Sequence, residues 1–156
     1  MSVEQQTVDT NSHVRKPNNR AMRFFTGVHV FFYRLSGGKL GGRFGKSPVL
    51  LLNTTGRKTG RQRTTPLLYL QDGDNLILVA SYGGAPKHPV WWLNLQAKPE
   101  AEVEIGRKKL RVIARQADAA ERERLWPLVV AMYGEYAEYQ KKTTREIPVV
   151  ILHPQD

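Results

Sequence analysis

The sequence predicts a mainly β member of the α+β class: a small antiparallel barrel, or a sheet curled like one, with a few helices against it. Three observations carry this. Apolar runs of strand length recur in VLLL, NLILVAS and IPVVILHP, and short continuous runs bounded by turn signals mark strands buried on both faces. AEVEIG and KKLRVIARQA instead alternate polar and apolar residues about Gly106 and Arg107, as two half-exposed antiparallel strands do. The expected order is helix, three strands, helix, two strands, helices, strand, which does not suit a doubly wound parallel sheet.

Residues 1–18 are polar, end in Lys16 and Pro17 before Asn18 and Asn19, and are expected to be mobile. Asn19 suits a helix N-cap. In RAMRFFTGVHVFFYRL, Phe24, Val28, Phe31 and Leu35 fall on one helical face and Arg20, Arg23, Gly27 and Arg34 on another. Such a helix fits either core packing or binding at a membrane surface. Gly37 and Gly38 end it, and SGGKLGGRFGK is a basic glycine-rich linker. Residues 1–44 are thus an N-terminal segment and residues 45–156 a barrel domain. His29 has no second histidine at ligand spacing and reads as a helix residue.

Next comes PVLLLNTTGRKTGRQRTTPLLY, strand, turn and strand. Gly56 and Gly60 bracket Arg57, Lys58 and Thr59, with Arg61 and Arg63 following, so four cations lie within seven residues. The turn reads either as an anion cradle, with guanidinium forks and free backbone N–H groups, or as a solvated hairpin end. Asp72, Gly73 and Asp74 form a turn, and a buried strand should run to Ser81. A loop at residues 82–86 precedes a short helix from Pro89 through Asn94. From Asp118 a helical pattern runs to about Gln140, with Pro127 either kinking it or starting a second helix.

The net charge of +10 is unevenly placed. Residues 1–66 hold twelve Lys or Arg and two Asp or Glu, residues 67–156 hold twelve of each, and no acid occurs between Thr10 and Gln71. Nucleic acid, an anionic membrane surface or a polyanionic small molecule could answer such a field. The chain has no cysteine, which excludes disulfides and cysteine-ligated metals. A secretory signal and a spanning apolar run are both missing, so the expectation is a cytoplasmic chain, peripheral to the inner membrane face if the helix binds lipid. The basic turn lacks GxxxxGK[ST], Ser81 lies in no GxSxG elbow, and the four histidines have no ligand spacing.

LLLNTTGRKTGRQRTTPLLYL, LVASYGGAPKHPVWWLNLQAKPEAEVEIG and WPLVVAMYGEYAEY, in this order, resemble the deazaflavin-dependent nitroreductase family of actinobacteria, over about three quarters of the chain. The resemblance implies a split β-barrel related to flavin-binding oxidoreductases, with coenzyme F420, an 8-hydroxy-5-deazaflavin, as hydride donor to a quinone such as menaquinone or to a nitroaromatic. It implies phosphate and oligoglutamate contacts at Arg57, Lys58, Thr59 and Arg63. Thr64, Thr65, Pro66, Leu67 and Leu68, with Val79, Ala80, Ser81 and Tyr82, would flank the ring, and Val90, Trp91, Trp92, Leu93 and Asn94 would cover it. One of the two tryptophans is expected in the core and the other toward the ring. Tyr133, Tyr136 and Tyr139 recur every third residue; on one helix the first two share a face that could stack a planar acceptor. Ser81, Tyr133 and Tyr136 are then the candidate catalytic groups. Tyr82 stands where the family often has lysine, and Leu68 where it often has an aromatic ring. A polyanionic coenzyme would account for the basic field without nucleic acid. The competing class is a nucleic-acid or membrane-surface module with no chemistry.

Overall fold

Eight antiparallel strands form one curled sheet in the computed structural model, which describes residues 19–156. The stretch expected to be mobile, residues 1–18, lies outside the described residues. In chain order the elements are α1 (Asn19–Ser36), β1 (Arg43–Phe44), β2 (Ser47–Thr55), β3 (Gln62–Leu68), β4 (Leu70–Asp72), β5 (Asn75–Val79), a 3-10 turn (Tyr82–Gly84), α2 (Val90–Ala97), β6 (Glu100–Ile105), β7 (Lys108–Gln116), α3 (Ala119–Met132), α4 (Glu135–Lys141) and β8 (Val149–Pro154). Pairing runs β1-β2-β6-β7-β8-β5-β4, and β3 pairs with β2. Only Tyr69 separates β3 from β4, so one bent segment leaves β2 and joins β5, turning the sheet back on itself. This is the split barrel implied by the resemblance.

The apolar runs are strands with no wet face. Leu50 and Leu52, Leu76 and Leu78, and Val150 and Leu152 point into the barrel, where Trp91, Trp92 and Leu95 of α2 join them. The intervening Ile77, Val79, Val149 and Ile151 point outward and are covered by Leu125 and Val129 of α3 and Tyr136 of α4. Both alternate sets are apolar because both faces are buried, which is why no alternation shows in the sequence.

Asp118 caps α3 in a capping box with Glu121. Pro127 neither ends this helix nor begins another: α3 runs through it to Met132, and the break falls at Tyr133 and Gly134. The carbonyl that Pro127 leaves without a helical partner is that of Glu123, and both residues are exposed, so water can serve it. β5 ends at Val79, two residues short of the expected Ser81.

Of the two fates open to the apolar stripe of α1, core packing is not the one adopted: Phe24 is 68% and Phe31 60% exposed, whereas Tyr33 is 1% exposed. Val30 and Tyr33 pack on Leu51. Hydrogen bonding decides this. The Tyr33 hydroxyl lies 3.2 Å from the Val49 carbonyl and 3.1 Å from the Glu104 carbonyl, and it accepts from the Gly106 N–H at 2.9 Å. Arg34 donates through Nε (3.1 Å) and Nη2 (2.8 Å) to the two carboxylate oxygens of Glu104, which also accepts from Asn53 Nδ2 at 2.9 Å. Glu104 is buried, and a buried carboxylate without a cation is far costlier than exposed phenyl rings. The Arg34 hydrogen bond holds its carboxyl below the ordinary value, outweighing burial, with Asn53 assisting.

Tyr33→Phe should therefore destabilise the protein by about 1–3 kcal/mol, because buried backbone partners lose the hydroxyl. Urea unfolding measures this, and an unchanged midpoint would mean that the Tyr33 hydroxyl does not help to hold α1, leaving the Arg34–Glu104 pair and apolar contact to do so.

Candidate active site

β3 is bonded to β2 on one side and, among the described residues, pairs with no strand along its other edge. Pro66 in mid-strand, with no N–H to offer, belongs on such an edge. The open edge is one wall of a cavity of about 550 Å³, within the roughly 300–1,000 Å³ range of small-molecule sites. Thr65, Pro66, Leu67 and Leu68 line one side, and Val79, Ser81, Tyr82 and Gly83 the other. The remaining walls are Phe25, Thr26 and His29 of α1, Arg43 and Phe44 of β1, Val49 of β2, and three tyrosines.

Tyr82 is the one described non-glycine residue with a left-handed backbone, at φ 47°, and Gly83 (62°) and Gly84 (80°) continue that conformation. A bulky residue held there costs about 1–3 kcal/mol and persists only when its surroundings enforce it. Gly84 is packed so closely that a Cβ would lie 2.6 Å from the Tyr139 carbonyl oxygen. Ser81 is buried, and its hydroxyl does not cap the 3-10 turn that follows.

The tyrosines meet, but not by helical spacing. Tyr133 is the extended residue closing α3, and Tyr136 and Tyr139 belong to α4. The ring of Tyr133 lies 5.0 Å from that of Tyr136 and 6.3 Å from that of Tyr139, in edge and tilted contacts rather than one flat stacking face. The Tyr133 and Tyr139 hydroxyl oxygens are 3.4 Å apart. That hydrogen bond, then burial, pushes the Tyr133 phenol up to about 12. Burial raises Tyr136 as well. Both are neutral hydrogen-bond donors at neutral pH and weak proton donors.

Beyond the cavity β3 continues into the basic turn, a closed structure. Gly56 N–H donates to the Arg61 carbonyl at 2.7 Å, and Gly60 N–H to the Gly56 carbonyl at 2.8 Å. Asn94 of α2 fastens it: its Oδ1 accepts from the Arg57 N–H at 3.1 Å while its Nδ2 donates to Thr54 Oγ1 at 3.2 Å. Arg57, Lys58, Thr59, Arg61 and Arg63 are exposed. Among the described residues, none of the four cations pairs with a carboxylate.

The expected site residues thus divide. Residues 65–68, Val79, Ser81, Tyr82, Tyr133 and Tyr136 meet at the cavity. Thr64 is instead engaged with Asn53 Oδ1 at 2.6 Å, and Ala80 faces the barrel interior. Neither Trp91 nor Trp92 lines the cavity: both are buried in the barrel core. Val90 is exposed and Leu93 half-buried, so α2 reaches the ligand side only through the hold of Asn94 on the turn. Missed from sequence were the α1 and β1 walls, Val49 and Gly83, whereas Tyr139, grouped with the other two tyrosines by its spacing, does line the cavity. His29, set aside for lack of a second histidine, places its Nε2 2.8 Å from the Gly41 carbonyl oxygen, where the linker folds back over the cavity.

The family model described as F420H(2)-dependent quinone reductase matches residues 25–154. An F420H(2)-dependent quinone reductase of Mycobacterium tuberculosis (strain H37Rv) is 43% identical over 129 residues, 80% of this chain and 87% of that one. A solved structure described as an F420-H2 dependent reductase, FDR-A, is 45% identical with a TM-score of 0.63, covering 68% of this chain and 94% of that one. A second, described as a domain-swapped dimer, is 36% identical with a TM-score of 0.67, covering 87% of this chain and 100% of that one.

Proposed function

The chain belongs to the F420H(2)-dependent quinone reductase family, and from that premise we propose where it holds the coenzyme and how its own side chains serve hydride transfer to a quinone. The chain is an F420-dependent oxidoreductase. In this reading the deazaflavin ring occupies the cavity at the open edge of β3, and the phosphate and carboxylates lie on Arg57, Lys58, Thr59 and Arg63. The carrying observation is that the cavity wall and one of the cations without a carboxylate partner among the described residues, Arg63, share one strand, with the other three in the turn that leads into it: Thr65 and Arg63 are two residues apart, about 7 Å at a strand's rise. Apolar walls suit the ring and guanidinium forks suit the anionic tail.

When bound, the reduced coenzyme supplies the hydride. Ser81, whose hydroxyl is not used as a cap, orients the acceptor oxygen. Tyr133 and Tyr136 donate hydrogen bonds to quinone oxygen as charge develops there. Their raised values make them stabilisers of that charge rather than proton sources, so the hydroquinone anion takes its proton from water. A nitroaromatic is the second acceptor class. The quinone comes first because Tyr82 and Leu68 depart from the nitroreductase pattern at two cavity positions.

The outer face of α1 supports a place on an anionic membrane at the inner face of the cell. Among the described residues no helix is long and apolar enough to cross a membrane, but Phe24, Phe31 and Leu35 stand exposed beside exposed Arg23. The β6–β7 turn adds charge that the sequence places far away. A Cβ on Gly37 would lie 2.7 Å from Arg107 Nε, so the turn carrying Arg107, Lys108 and Lys109 abuts the end of α1. Apolar insertion flanked by cations is how an interfacial helix binds.

Titration with oxidised coenzyme tests the tail site. Lys58→Ala and Arg63→Ala should each weaken binding about tenfold or more, each charge-assisted hydrogen bond being worth about 1.5–3 kcal/mol; unaltered affinity in both removes the assignment.

Single-turnover oxidation of reduced coenzyme by menadione tests the tyrosines. Tyr133→Phe and Tyr136→Phe should each slow it about 10- to 100-fold, an effect of about 1.4–2.7 kcal/mol. Since deprotonation of Tyr133 is delayed to about 12, the wild-type rate should stay level through pH 10, where an ordinary tyrosine is half ionised. Wild-type rates in both variants would make these rings packing residues.

For the membrane, Phe24→Ser with Phe31→Ser should abolish sedimentation with phosphatidylglycerol vesicles and leave coenzyme affinity intact. Equal sedimentation of the double variant and wild type would return α1 to a purely structural role.

A further inference from the structure

Arg145, between α4 and β8, is the inward-facing cation that this reading leaves without a role. Its Nη2 donates to the Ser81 carbonyl at 2.7 Å and its Nε to the Ala85 carbonyl at 2.9 Å. Nη1 and Nη2 each reach the Ala80 carbonyl at 3.3 Å, and Nη1 lies 3.2 Å from His88 Nδ1. Every acceptor thus belongs to the segment from Ala80 to His88. Among the described residues no carboxylate forms an ion pair with it. Burial without a counter-ion lowers the pKa of Arg145, and burial, then the nearby guanidinium, lowers that of His88. A neutral imidazole can accept through Nδ1, consistent with the contact.

The other side of this segment is cavity wall. Ser81 and Tyr82 line it, and Tyr82 sits in its left-handed backbone between the Arg145 fork and Gly84, which is pressed on the Tyr139 carbonyl. We propose that Arg145 is a positioning residue for hydride transfer, holding the cavity wall made by Ser81 and the strained Tyr82 in the shape that orients the acceptor. Arginine suits this task because its planar fork presents five donors at fixed angles; an ammonium presents three from one point and cannot span acceptors spread over nine residues. The clamp stands on the contacts above, and its consequence for the reaction rests on the coenzyme reading.

The test uses the full chain as wild type, Arg145→Lys, Arg145→Ala and His88→Ala. Amide hydrogen exchange at residues 82–85 should quicken at least tenfold in both Arg145 variants, and by less in His88→Ala. Affinity for oxidised coenzyme should change under threefold, since the tail contacts remain. The single-turnover rate to menadione at saturating coenzyme should fall at least tenfold in both Arg145 variants. Guanidinium ion at non-denaturing concentration should restore part of that rate to Arg145→Ala but not to Arg145→Lys, which a loss of stability alone would not produce. Unchanged exchange in Arg145→Lys overturns the clamp, and quicker exchange with an undiminished rate overturns the positioning role. If Arg145→Ala does not fold, Arg145→Lys and His88→Ala decide by the same readings. Failure of wild type to bind the coenzyme would instead sink the coenzyme reading, and the exchange comparison would still decide the clamp.

Discussion

β2 is a strand with no face in water, and the alternation of its side chains ties the molecule together. Leu50 and Leu52 belong to the barrel interior, and Leu51 to the contact with α1. The same alternation continues into its polar end. Asn53 enters the Arg34 and Glu104 network that fixes α1, while the next residue, Thr54, accepts from Asn94 of α2. Consecutive residues of a strand point to opposite faces, so two neighbours suffice to engage a helix on each side. Three residues past Thr54 the chain enters the basic turn, where the Arg57 N–H meets the same Asn94. The exposed cations therefore stand on backbone anchored to the most deeply buried strand. A turn held in this way loses little freedom when an anion binds.

The fate of each cation separates structure from recognition. Arg34, Arg115 and Arg124 are engaged with carboxylates, and Arg145 with carbonyls. Arg57, Lys58, Arg61 and Arg63 have no such partner among the described residues. The acid-free stretch from Thr10 to Gln71 explains the difference: a cation there finds a carboxylate only if the fold brings one from afar, as it brings Glu104 to Arg34 across seventy positions. Among the described residues no strand brings an acid to the basic turn. Local charge balance, available in the sequence, thus already marked where a free positive field would remain.

What the sequence could and could not reveal follows from which forces act locally. Burial on both faces leaves a direct mark, a continuous apolar run, and β2, β5 and β8 were legible for that reason. The start of α3 at Asp118 was legible too, and it is set locally, by a cap that needs only Glu121 three residues on. The orientation of α1 was not, because the group that sets it, Glu104, lies seventy residues away and is buried only in the folded state. A periodic pattern shows which face is apolar and says nothing of which face a distant carboxylate requires. Tyr133, Tyr136 and Tyr139 were correctly gathered by a wrong geometry: the chain turns at Gly134 instead of continuing as a helix, yet three residues still return each ring to its neighbours. The two tryptophans misled because α2 is apolar nearly all round, which signals a buried helix without saying what buries it. The α1 and β1 walls of the cavity come from the fold-back of the glycine-rich linker, which has no periodicity to read.

The open edge of β3 gives these parts a common logic. A fully paired barrel would have no edge, and an unpaired edge invites association with other strands. Here Pro66 interrupts its donors, and α1 with β1 rises beside it to make a recess instead of a sticky rim. Such a recess can admit a flat apolar body, while the turn at the far end of the same strand can hold an anionic tail. α1 then has two duties on different faces: Phe25, Thr26 and His29 look into the cavity, while Phe24, Val28 and Phe31 look outward. In the membrane-bound reading, the outward rings meet lipid while the inward ones meet the ring of the coenzyme. A quinone dissolved in that lipid would then be separated from the hydride donor by about the width of one helix, roughly 10 Å. In that reading the exposed phenyl face, wasteful in a helix meant only to pack, would be reasonable in one whose thickness sets the distance the acceptor would cross.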